Sequence, residues 1–530
     1  MRRVLLFACL LTAAPLAWAA PAPAATPWPF QTLELGVRDA EHGASALRAR
    51  GRYGIRYHYL SGGANTGRSW TGWHHGGGSF VSSYIEDSRA NGFRTVFSWY
   101  HLYESAPARG GGDERAGFLG NLRNPDTMRA YYADLRTFFT KAADFRDEPI
   151  VLHVEPDAWG WIQTAAAGDD AASVPAAVAS SGDGDLAGLP DNAAGFAQAF
   201  ARLRDRYAPN VLLAYHLSFW GSGIDPARST ALDDERVDGA VARSAAFNSS
   251  LGTPWDLVFA EFTDRDAGYE QRVDGAGPEA IWDESDYARH ARFVGGFAAS
   301  AGRPVVLWQI PFGNTRMRAM DNTRHHYQDN KVEWLLDDPG GRLDAYRQAG
   351  VIALLFGTAL PGTTCACDQA GDGVTNPAPV NGNVMTSFNS DDDGGFFHAR
   401  AGDFYGRGAP GITANVAYRP VSVPLAAPAS RPRIRVPRVV RRGSQARILV
   451  RLPRGLPERA RVTVEVFGGG GRRAVYRARR LAGSSSRVAL RWRVSRRAGP
   501  GRYVAKVRVE GVAGSERFTH HGRTIRFRVR

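Results

Sequence analysis

The chain has 530 residues, of which 44% are hydrophobic and 22% are charged. This composition is typical of globular proteins, and it excludes a disordered chain, a collagen-like chain and a polytopic membrane protein. The net charge of +14 is unevenly distributed, because residues 431–530 contain 29 Arg and Lys but only 4 Asp and Glu. We therefore expect at least two domains, an acidic main domain followed by a strongly basic one.

The N-terminus has the pattern of a secretory signal. Two arginines precede an apolar segment, residues 4–16, which is too short to span a bilayer, and the Ala-Trp-Ala at 17–19 matches a cleavage site. We predict a signal peptide over residues 1–19 and a Pro/Ala-rich linker over 20–30. No later segment is continuously apolar over 18 residues, so we expect a secreted or cell-envelope protein without a transmembrane segment.

Eight short apolar segments alternate with helical segments between residues 31 and 405, and they are mostly rich in Val, Leu and Ile, as parallel strands buried on both faces are. The segments are Leu33–Val37, Ile55–Tyr59, Thr95–Trp99, Ile150–Val154, Val211–His216, Leu257–Phe262, Val305–Ile310 and Val351–Phe356. Helix-to-strand connections are short, whereas most strand-to-helix connections are long. This asymmetry predicts an α/β fold, a (β/α)8 TIM barrel over 31–425 with its site at the C-terminal ends of the strands. An open doubly wound sheet is the alternative.

The region after the barrel has a different texture. A Pro/Ala-rich linker, 426–432, precedes the Arg-rich segment 433–530, which contains seven short β-prone runs, several of them separated by turns rich in Gly and Ser. In the clearest run, Val462, Val464 and Val466 alternate with polar residues. These features predict a smaller antiparallel β-sandwich of about seven strands, which resembles an immunoglobulin or fibronectin type III module.

The predicted mature chain contains two cysteines, Cys365 and Cys367. This C-x-C pair lacks the further ligands of a structural zinc site, and a single pair excludes a disulfide scaffold. In an oxidising compartment the pair forms either a small disulfide ring or two free thiols.

The strongest candidate for chemistry follows the fourth predicted strand. In residues 151–161, VLHVEPDAWGW, His153 and Glu155 point into the barrel if their apolar neighbours face the helices. Glu155 then lies at the barrel mouth, and tryptophans follow it. A carboxyl group beside aromatic side chains is typical of sugar chemistry, because the carboxyl exchanges protons with the glycosidic oxygen and indoles stack on pyranose rings. We predict Glu155 as the general acid/base.

A second acidic residue, Glu261, ends the sixth predicted strand. Alternate strands contribute side chains to the same layer of a barrel, so Glu155 and Glu261 are expected to face each other across the mouth. We predict Glu261 as the nucleophile or as the base that activates water. A separation of about 5 Å would mean retention of configuration, and about 6.5–9.5 Å would mean inversion. Asp157, Asp264 and Glu104, which follows the third predicted strand, are the acidic alternatives to these two glutamates.

Other polar and aromatic side chains accumulate at the same predicted end of the barrel, which suggests a cleft for an extended carbohydrate. The predicted substrate-binding residues are His58, Trp99, His101, Asp157, Trp159, Tyr215, His216, Asp264, Trp308 and Gln309. We predict no metal and no cofactor. His153 and Glu155 with His216 could mimic a metallohydrolase set, but the other histidine pairs lack supporting spacing.

Taken together, these residues resemble the TIM-barrel glycoside hydrolases. Glu155-Pro156-Asp157 is similar to a Glu-Pro-Asp motif of family 6 cellulases. The clan with glutamates on strands four and seven is matched in part: its acid/base corresponds to Glu155, but the seventh predicted strand carries Gln309. The resemblance implies a secreted enzyme that cleaves glycosidic bonds of a polysaccharide or oligosaccharide with two carboxylates.

Two other functions remain open from the sequence. One is a non-catalytic carbohydrate-binding or cell-surface protein on the same fold, and the other is a metal-dependent polysaccharide esterase or deacetylase. The excess of arginine in 433–530 has three interpretations: solvated strand faces, nucleic-acid binding, and attachment to an anionic surface polymer. Secretion argues against nucleic acid, and we favour the anionic polymer.

Overall fold

The computed structural model describes residues 28–108, 112–226, 228, 232–317, 319–337, 341–358, 360–369, 371, 392–413, 433–452, 461–468, 474–481, 487–513, 516–521 and 524–530. The predicted signal peptide 1–19, residues 20–27 of the predicted first linker and the whole predicted second linker, 426–432, lie outside these residues. Among the described residues, no helix combines the length and the apolar character needed to cross a membrane.

Eight parallel strands close into a barrel in which each strand pairs with its neighbours in the chain and the last pairs with the first. The strands are β1 (Glu34–Arg38), β2 (Ile55–Leu60), β3 (Arg94–Trp99), β4 (Ile150–Val154), β5 (Val211–Leu217), β6 (Leu257–Glu261), β7 (Val305–Ile310) and β8 (Val351–Phe356). The TIM-barrel prediction is confirmed, and all eight predicted segments fall on these strands. Their bounds match closely because buried parallel strands are apolar on both faces, so each strand reads as a continuous run.

Helices follow the strands and cover the outside of the barrel. Among the described residues they are α1 (Ala44–Arg50), α2 (Ser79–Ala90), α3 (Glu114–Arg123), α4 (Pro125–Ala142), α5 (Ala158–Ala165), α6 (Ala193–Tyr207), α7 (Asp234–Ser250), α8 (Ala267–Tyr269), α9 (Glu284–Ala301), α10 (Lys331–Leu336), α11 (Arg342–Gln348) and α12 (Phe396–Gly406). Local signals fix several ends. Asn124 caps α4, whose first residue is Pro125, and Asp283 forms a capping box with Asp286 at the start of α9.

Side chains that point inward fill the barrel. Alternate residues such as Val151 on β4, Leu212 on β5 and Val306 on β7 form an interior cluster that is separate from the larger cluster between strands and helices. Trp28, within the predicted first linker, is 3% exposed and belongs to this interior cluster. The interior is therefore a packed core, and a ligand can approach only at an end of the barrel.

The C-terminal region forms two β-sheets with one shared apolar core. One sheet has the strand order β10-β17-β15-β12-β13, with β16 paired to β15, and the other has the order β14-β11-β9. The strands are β9 (Arg433–Arg435), β10 (Val439–Val440), β11 (Gln445–Arg451), β12 (Arg461–Gly468), β13 (Ala474–Leu481), β14 (Arg487–Arg493), β15 (Gly501–Ala513), β16 (Glu516–His521) and β17 (Ile525–Val529).

The predicted sandwich is confirmed, with two additions. The sequence did not indicate β10 or β16, and β10 pairs with β17 in parallel, whereas the other pairs are antiparallel. Period-2 alternation accounts for the core, since Val462, Val464 and Val466 are all buried. In the barrel, Cys365 and Cys367 form a disulfide bond, one of the two states expected.

Candidate active site

The ends of two barrel strands break the regular alternation of side chains. Glu155 and Asp157 after β4, and Gln309 in β7, have φ angles of 45°, 68° and 54°. Residues other than glycine adopt this left-handed conformation only at an energetic cost. Such strained residues are concentrated at functional sites in many proteins. Here the unusual conformations lie at the C-terminal end of the barrel, where TIM-barrel sites are formed.

The turn at Glu155 directs its carboxyl group away from the mouth and into the packed region outside β3 and β4. Glu155 Oε1 accepts hydrogen bonds from the Tyr131 hydroxyl at 2.8 Å and from the Leu102 and His101 amides at 3.0 and 3.3 Å. The residue is 1% exposed. The predicted Glu155–Glu261 pair is therefore not what the fold assembles, because the left-handed residue cancels the inward direction that alternation alone assigns to position 155.

Burial raises the pKa of Glu155 to about 8, against the opposing effect of its three hydrogen-bond donors. All three donors point at one oxygen, Oε1, and the His101 amide also approaches Oε2, at 3.4 Å. All of these contacts donate to the carboxyl group and favour its charged form, so burial is the main cause that keeps the pKa raised. Glu155 thus fixes the β3–α3 loop to α4 and to the end of β4.

Asp157 takes the place at the mouth that was predicted for Glu155. One ligand-type atom from each of Asp157, His216 and Glu261 lies within 4.8 Å of the other two. His216 Nε2 is 3.9 Å from Glu261 Oε2. Asp157 stands at the N-cap position of α5, but its side chain makes no capping hydrogen bond, so the carboxylate remains available to the mouth. Asp157 and Glu261 are both half-buried.

These two carboxyl groups resist ionisation. The pKa of Asp157 is raised to about 7, first by burial and then by the neighbouring charges of Asp264 and Glu114. The pKa of Glu261 is raised well above its usual value, first by burial and then by the charge of Asp157. Two carboxylates so close together cannot both ionise readily, so the site favours one charge and one proton near neutral pH.

A line of buried polar groups runs along the inside of the barrel to this pair. Ser98 Oγ lies 3.1 Å from His153 Nδ1, and His153 Nε2 lies 3.0 Å from His216 Nδ1. Burial lowers the pKa of His153 well below its usual value and that of His216 to about 3, so both rings are neutral. The last atom of the line, His216 Nε2, is buried and has no hydrogen-bond partner among the described residues.

The wall of the mouth combines an indole with polar side chains. Trp308 packs edge-on against His153, with ring centroids 4.6 Å apart, and its buried Nε1 has no hydrogen-bond partner among the described residues. The Gln309 side-chain amide donates to the Tyr59 hydroxyl at 2.6 Å. The guanidinium of Arg38 lies 5.3 Å from the centre of the Tyr59 ring.

Charged loop residues surround the pair on the β5 and β6 side. Asp264 lies 3.0 Å from Arg265 and 3.6 Å from Arg228, which also contacts Glu270 at 3.1 Å. Asp264 therefore takes part in an ion-pair network at the rim and raises the pKa of both Asp157 and Glu261.

Of the predicted site residues, Asp157, His216, Glu261, Asp264, Trp308 and Gln309 meet at the mouth. His58, Trp99 and Tyr215 do not, because they occupy outward positions of their strands. His58 packs against Phe80 and Tyr84 of α2. Trp99 donates to the Tyr131 hydroxyl at 2.8 Å.

The remaining predicted residues are also structural. Tyr215 stacks with Phe297, while Trp159 donates from its indole to the carbonyl of Val154 at 2.9 Å. His101 lies 2.9 Å from Asp134 through Nε2 and is fully buried. These side chains belong to the layer between strands and helices, so the predicted aromatic cleft is smaller than the sequence suggested.

The predicted substrate-binding residues do not include Tyr59, Ser98 or Arg38. Alternation along β2 offered a usable signal for the first, because Tyr57 points inward and residue 59 therefore does too. Ser98 and Arg38 gave no such signal, since small polar and arginine side chains are common at strand ends. No protein-family model and no curated protein sequence matches the chain.

Proposed function

We propose that the barrel hydrolyses glycosidic bonds of an oligosaccharide or polysaccharide, with Asp157 and Glu261 as its two carboxyl groups. The observation that carries this proposal is their convergence, with oxygens within 4.8 Å of each other at the mouth of a TIM barrel. Glycoside hydrolysis requires such a pair, one member ionised and the other protonated, and the raised pKa values of both groups favour that state.

Burial and neighbouring carboxylates raise the pKa of both groups, so the pair favours one proton and one negative charge near neutral pH. In the reaction that we propose, Glu261 carries the proton and Asp157 carries the charge. Asp157 attacks the anomeric carbon while Glu261 protonates the leaving oxygen, so the glycosidic bond breaks and a glycosyl ester forms. Water then replaces Asp157 at that carbon and gives its proton to Glu261. The short separation favours this double displacement, with retention of configuration, because inversion needs about 6.5–9.5 Å for a water molecule.

The unpartnered polar atoms of the mouth provide contacts for sugar hydroxyl groups. His216 Nε2 and Trp308 Nε1 lack partners among the described residues. The ring of Tyr59, whose hydroxyl accepts from the Gln309 amide, lies 5.9 Å from the Trp308 ring between centroids. A buried donor or acceptor without a partner costs about 1–3 kcal/mol, so a ligand that supplies partners is favoured.

The test is release of reducing sugar from a panel of polysaccharides and oligosaccharides. The wild type should cleave at least one substrate, and Glu261→Gln should lower turnover by about 10³-fold, because the general acid is lost. Glu86→Gln, an exposed glutamate on α2, is the matched control and should keep wild-type turnover. The first product should show retained anomeric configuration by NMR. Saturable sugar binding without turnover on any substrate would instead support a carbohydrate-binding protein.

A second candidate is a metal-dependent polysaccharide esterase or deacetylase. It rests on the three donors Asp157, His216 and Glu261, which are of the types that bind Zn²⁺ and lie close enough to share an ion. The neutral His216 directs an unpartnered Nε2 at this point. Acetate release from acetylated polysaccharide that stops with a chelator and returns with Zn²⁺ would support it. Chelator-resistant reducing-sugar release would support the glycosidase.

We also propose that the C-terminal sandwich attaches the protein to an anionic polymer. Four arginines line one open cavity of about 600 Å³ on this region: Arg441, Arg442, Arg496 and Arg530. Such a concentration of positive charge attracts polyanions, and the attraction weakens as salt screens it. Co-sedimentation with an anionic polysaccharide at low and high salt tests this proposal, and binding that does not change with salt would contradict it.

We further propose that the protein is secreted through the signal peptide predicted over residues 1–19. N-terminal sequencing of the protein recovered from the culture medium should show that it begins at Ala20, after the Ala-Trp-Ala site. Retention in the cytoplasm with an intact N-terminus would contradict secretion.

A further inference from the structure

We infer that Glu41, His42 and His74 form a binding site for a divalent transition-metal ion, separate from the mouth cluster and independent of the proposed reaction. Glu41 and His42 lie in the β1–α1 loop, and His74 lies in the β2–α2 loop. One ligand-type atom from each residue lies within 4.8 Å of the other two. Glu41 Oε2 is 2.5 Å from His74 Nε2, and the two imidazole rings are 5.5 Å apart.

The first loop is held in place by a buried arginine. Arg56 on β2 is fully buried and donates to Asp39 Oδ2 at 2.7 Å and to the Ala40 carbonyl at 2.8 Å. The Asp39 carbonyl lies 3.1 Å from His58 Nδ1 and accepts from the Tyr84 hydroxyl at 3.3 Å. The backbone just before Glu41 is thus fixed by contacts that do not involve the proposed ligands.

The second loop is fixed independently. A turn of 3-10 helix, Trp70–Gly72, precedes His74, and Trp70 is fully buried. The Gly76 amide donates to the Trp73 carbonyl at 3.1 Å, and the Gly78 amide donates to the Thr71 carbonyl at 3.0 Å. His74 therefore lies in a turn that is closed by its own hydrogen bonds. Each of the two loops is held in place by contacts that do not depend on the other.

Two further observations point to a missing partner at this position. Glu41 Oε1 is buried and has no hydrogen-bond partner among the described residues, although a carboxylate oxygen normally requires one when it is removed from water. His42 and His74 both have left-handed backbones, with φ of 60° and 61°. This conformation is unfavourable for residues with a Cβ atom, yet it places both imidazoles beside the same carboxylate.

The donor set defines the class of ion. Two imidazoles and one carboxylate suit Zn²⁺ and the neighbouring divalent transition metals, whereas Mg²⁺ and Ca²⁺ prefer oxygen ligands throughout. Three protein ligands leave at least one coordination position for water or another ligand. An ion held here would link the loops after β1 and β2 on the face of the barrel that carries the candidate active site.

The test is calorimetric titration of the full chain, prepared without a histidine tag, with ZnCl₂. Glu261→Gln serves as the background, so that any ion bound at Asp157, His216 and Glu261 is weakened or removed. We expect one ion per chain, with affinity lowered more than about tenfold by either His42→Ala or His74→Ala. His75→Ala is the matched control, because His75 is exposed beside His74 but lies outside the donor set. The affinity of this variant for Zn²⁺ should stay unchanged.

Replacement of Zn²⁺ by Co²⁺ provides a second measurement, a visible absorption spectrum, that does not rely on the heat of binding. Visible d–d absorption should appear on binding and should disappear in His42→Ala and His74→Ala. The variants His42→Ala and His74→Ala should keep the wild-type circular dichroism spectrum, since both histidines are exposed. No heat of binding at micromolar protein, or binding that persists in both histidine variants, would overturn the proposal.

Discussion

The barrel and the sandwich differ in how many polar side chains they bury. The barrel buries histidines and charged residues, including His153 and His216 in its interior and the ion pair of Arg204 with Asp256 at 2.9 Å. In the sandwich, Thr463 is the only buried polar residue among those described. The sandwich arginines whose side chains are described are exposed, apart from the half-buried Arg508. The difference is consistent with the roles proposed for the two regions, catalysis at the mouth of the barrel and attachment to an anionic polymer through the sandwich.

Removal of positive charge from the sandwich should give the largest difference between the two regions, because it should weaken polymer binding and leave turnover unchanged. Arg441, Arg442, Arg496 and Arg530 should all be replaced by Gln. Each arginine near an anionic surface is worth about 1 kcal/mol, so affinity for an anionic polysaccharide should fall by about 10³-fold. Turnover of a small soluble oligosaccharide should stay at the wild-type value. An equal loss of both properties would contradict the division of labour.

Stability should depend on pH in the barrel through Glu155. The pKa of Glu155 is raised from 4.5 in the unfolded chain to about 8 in the folded state. Its contribution to stability is complete below pH 4.5 and is lost as pH rises toward 8, because the unfolded state releases the proton first. A tenfold change in the acid dissociation constant corresponds to about 1.4 kcal/mol, so the loss of stability should reach a few kcal/mol.

Glu155→Gln provides the comparison for this pH effect, because Gln offers an acceptor at Oε1 and a donor in place of Oε2. Urea unfolding from pH 5 to pH 8 should show the barrel of the wild type losing stability relative to the variant. Glu155→Leu should lower stability at every pH, by about 1–3 kcal/mol for each donor left without a partner. Parallel pH profiles for the wild type and Glu155→Gln would contradict a protonated Glu155.

The smallest expected effect concerns the pH profile of the reaction. Asp157 must be ionised to attack the anomeric carbon, and its pKa is raised to about 7. The kcat/KM should therefore fall about tenfold for each pH unit below 7. Glu155→Gln should keep this acidic limb, which distinguishes Asp157 from Glu155 as its source. A limb near pH 4 would show that a less perturbed carboxyl group controls the reaction.

The sequence predicted the fold almost completely, for a physical reason. Strands such as Ile150–Val154 and Val351–Phe356 are continuous apolar runs because both faces are buried, and their bounds in the structure are those predicted. In the sandwich, alternation located most strands. It missed β10, which has two residues, and β16, whose sequence ERFTHH lacks an apolar face.

The site was predicted in part, and the errors of that prediction have one common origin. Residue type alone put Tyr215 beside His216 in the same cleft, although neighbours on a strand point to opposite faces. Position 155 was placed inward by the same alternation, but the left-handed conformations of Glu155 and Asp157 reverse which carboxyl group reaches the mouth. Tertiary packing around Tyr131 and the β3–α3 loop imposes that turn, and no local pattern encodes it.

The most direct test of the account compares turnover by Asp157→Asn and Glu155→Gln on the same substrate. The two residues are separated by one proline, yet one carboxyl group opens to the mouth and the other is sealed beneath the β3–α3 loop. Asp157→Asn should lose about 10³-fold in kcat, whereas Glu155→Gln should retain most of the wild-type rate. Full activity in Asp157→Asn together with an inactive, correctly folded Glu155→Gln would contradict the account.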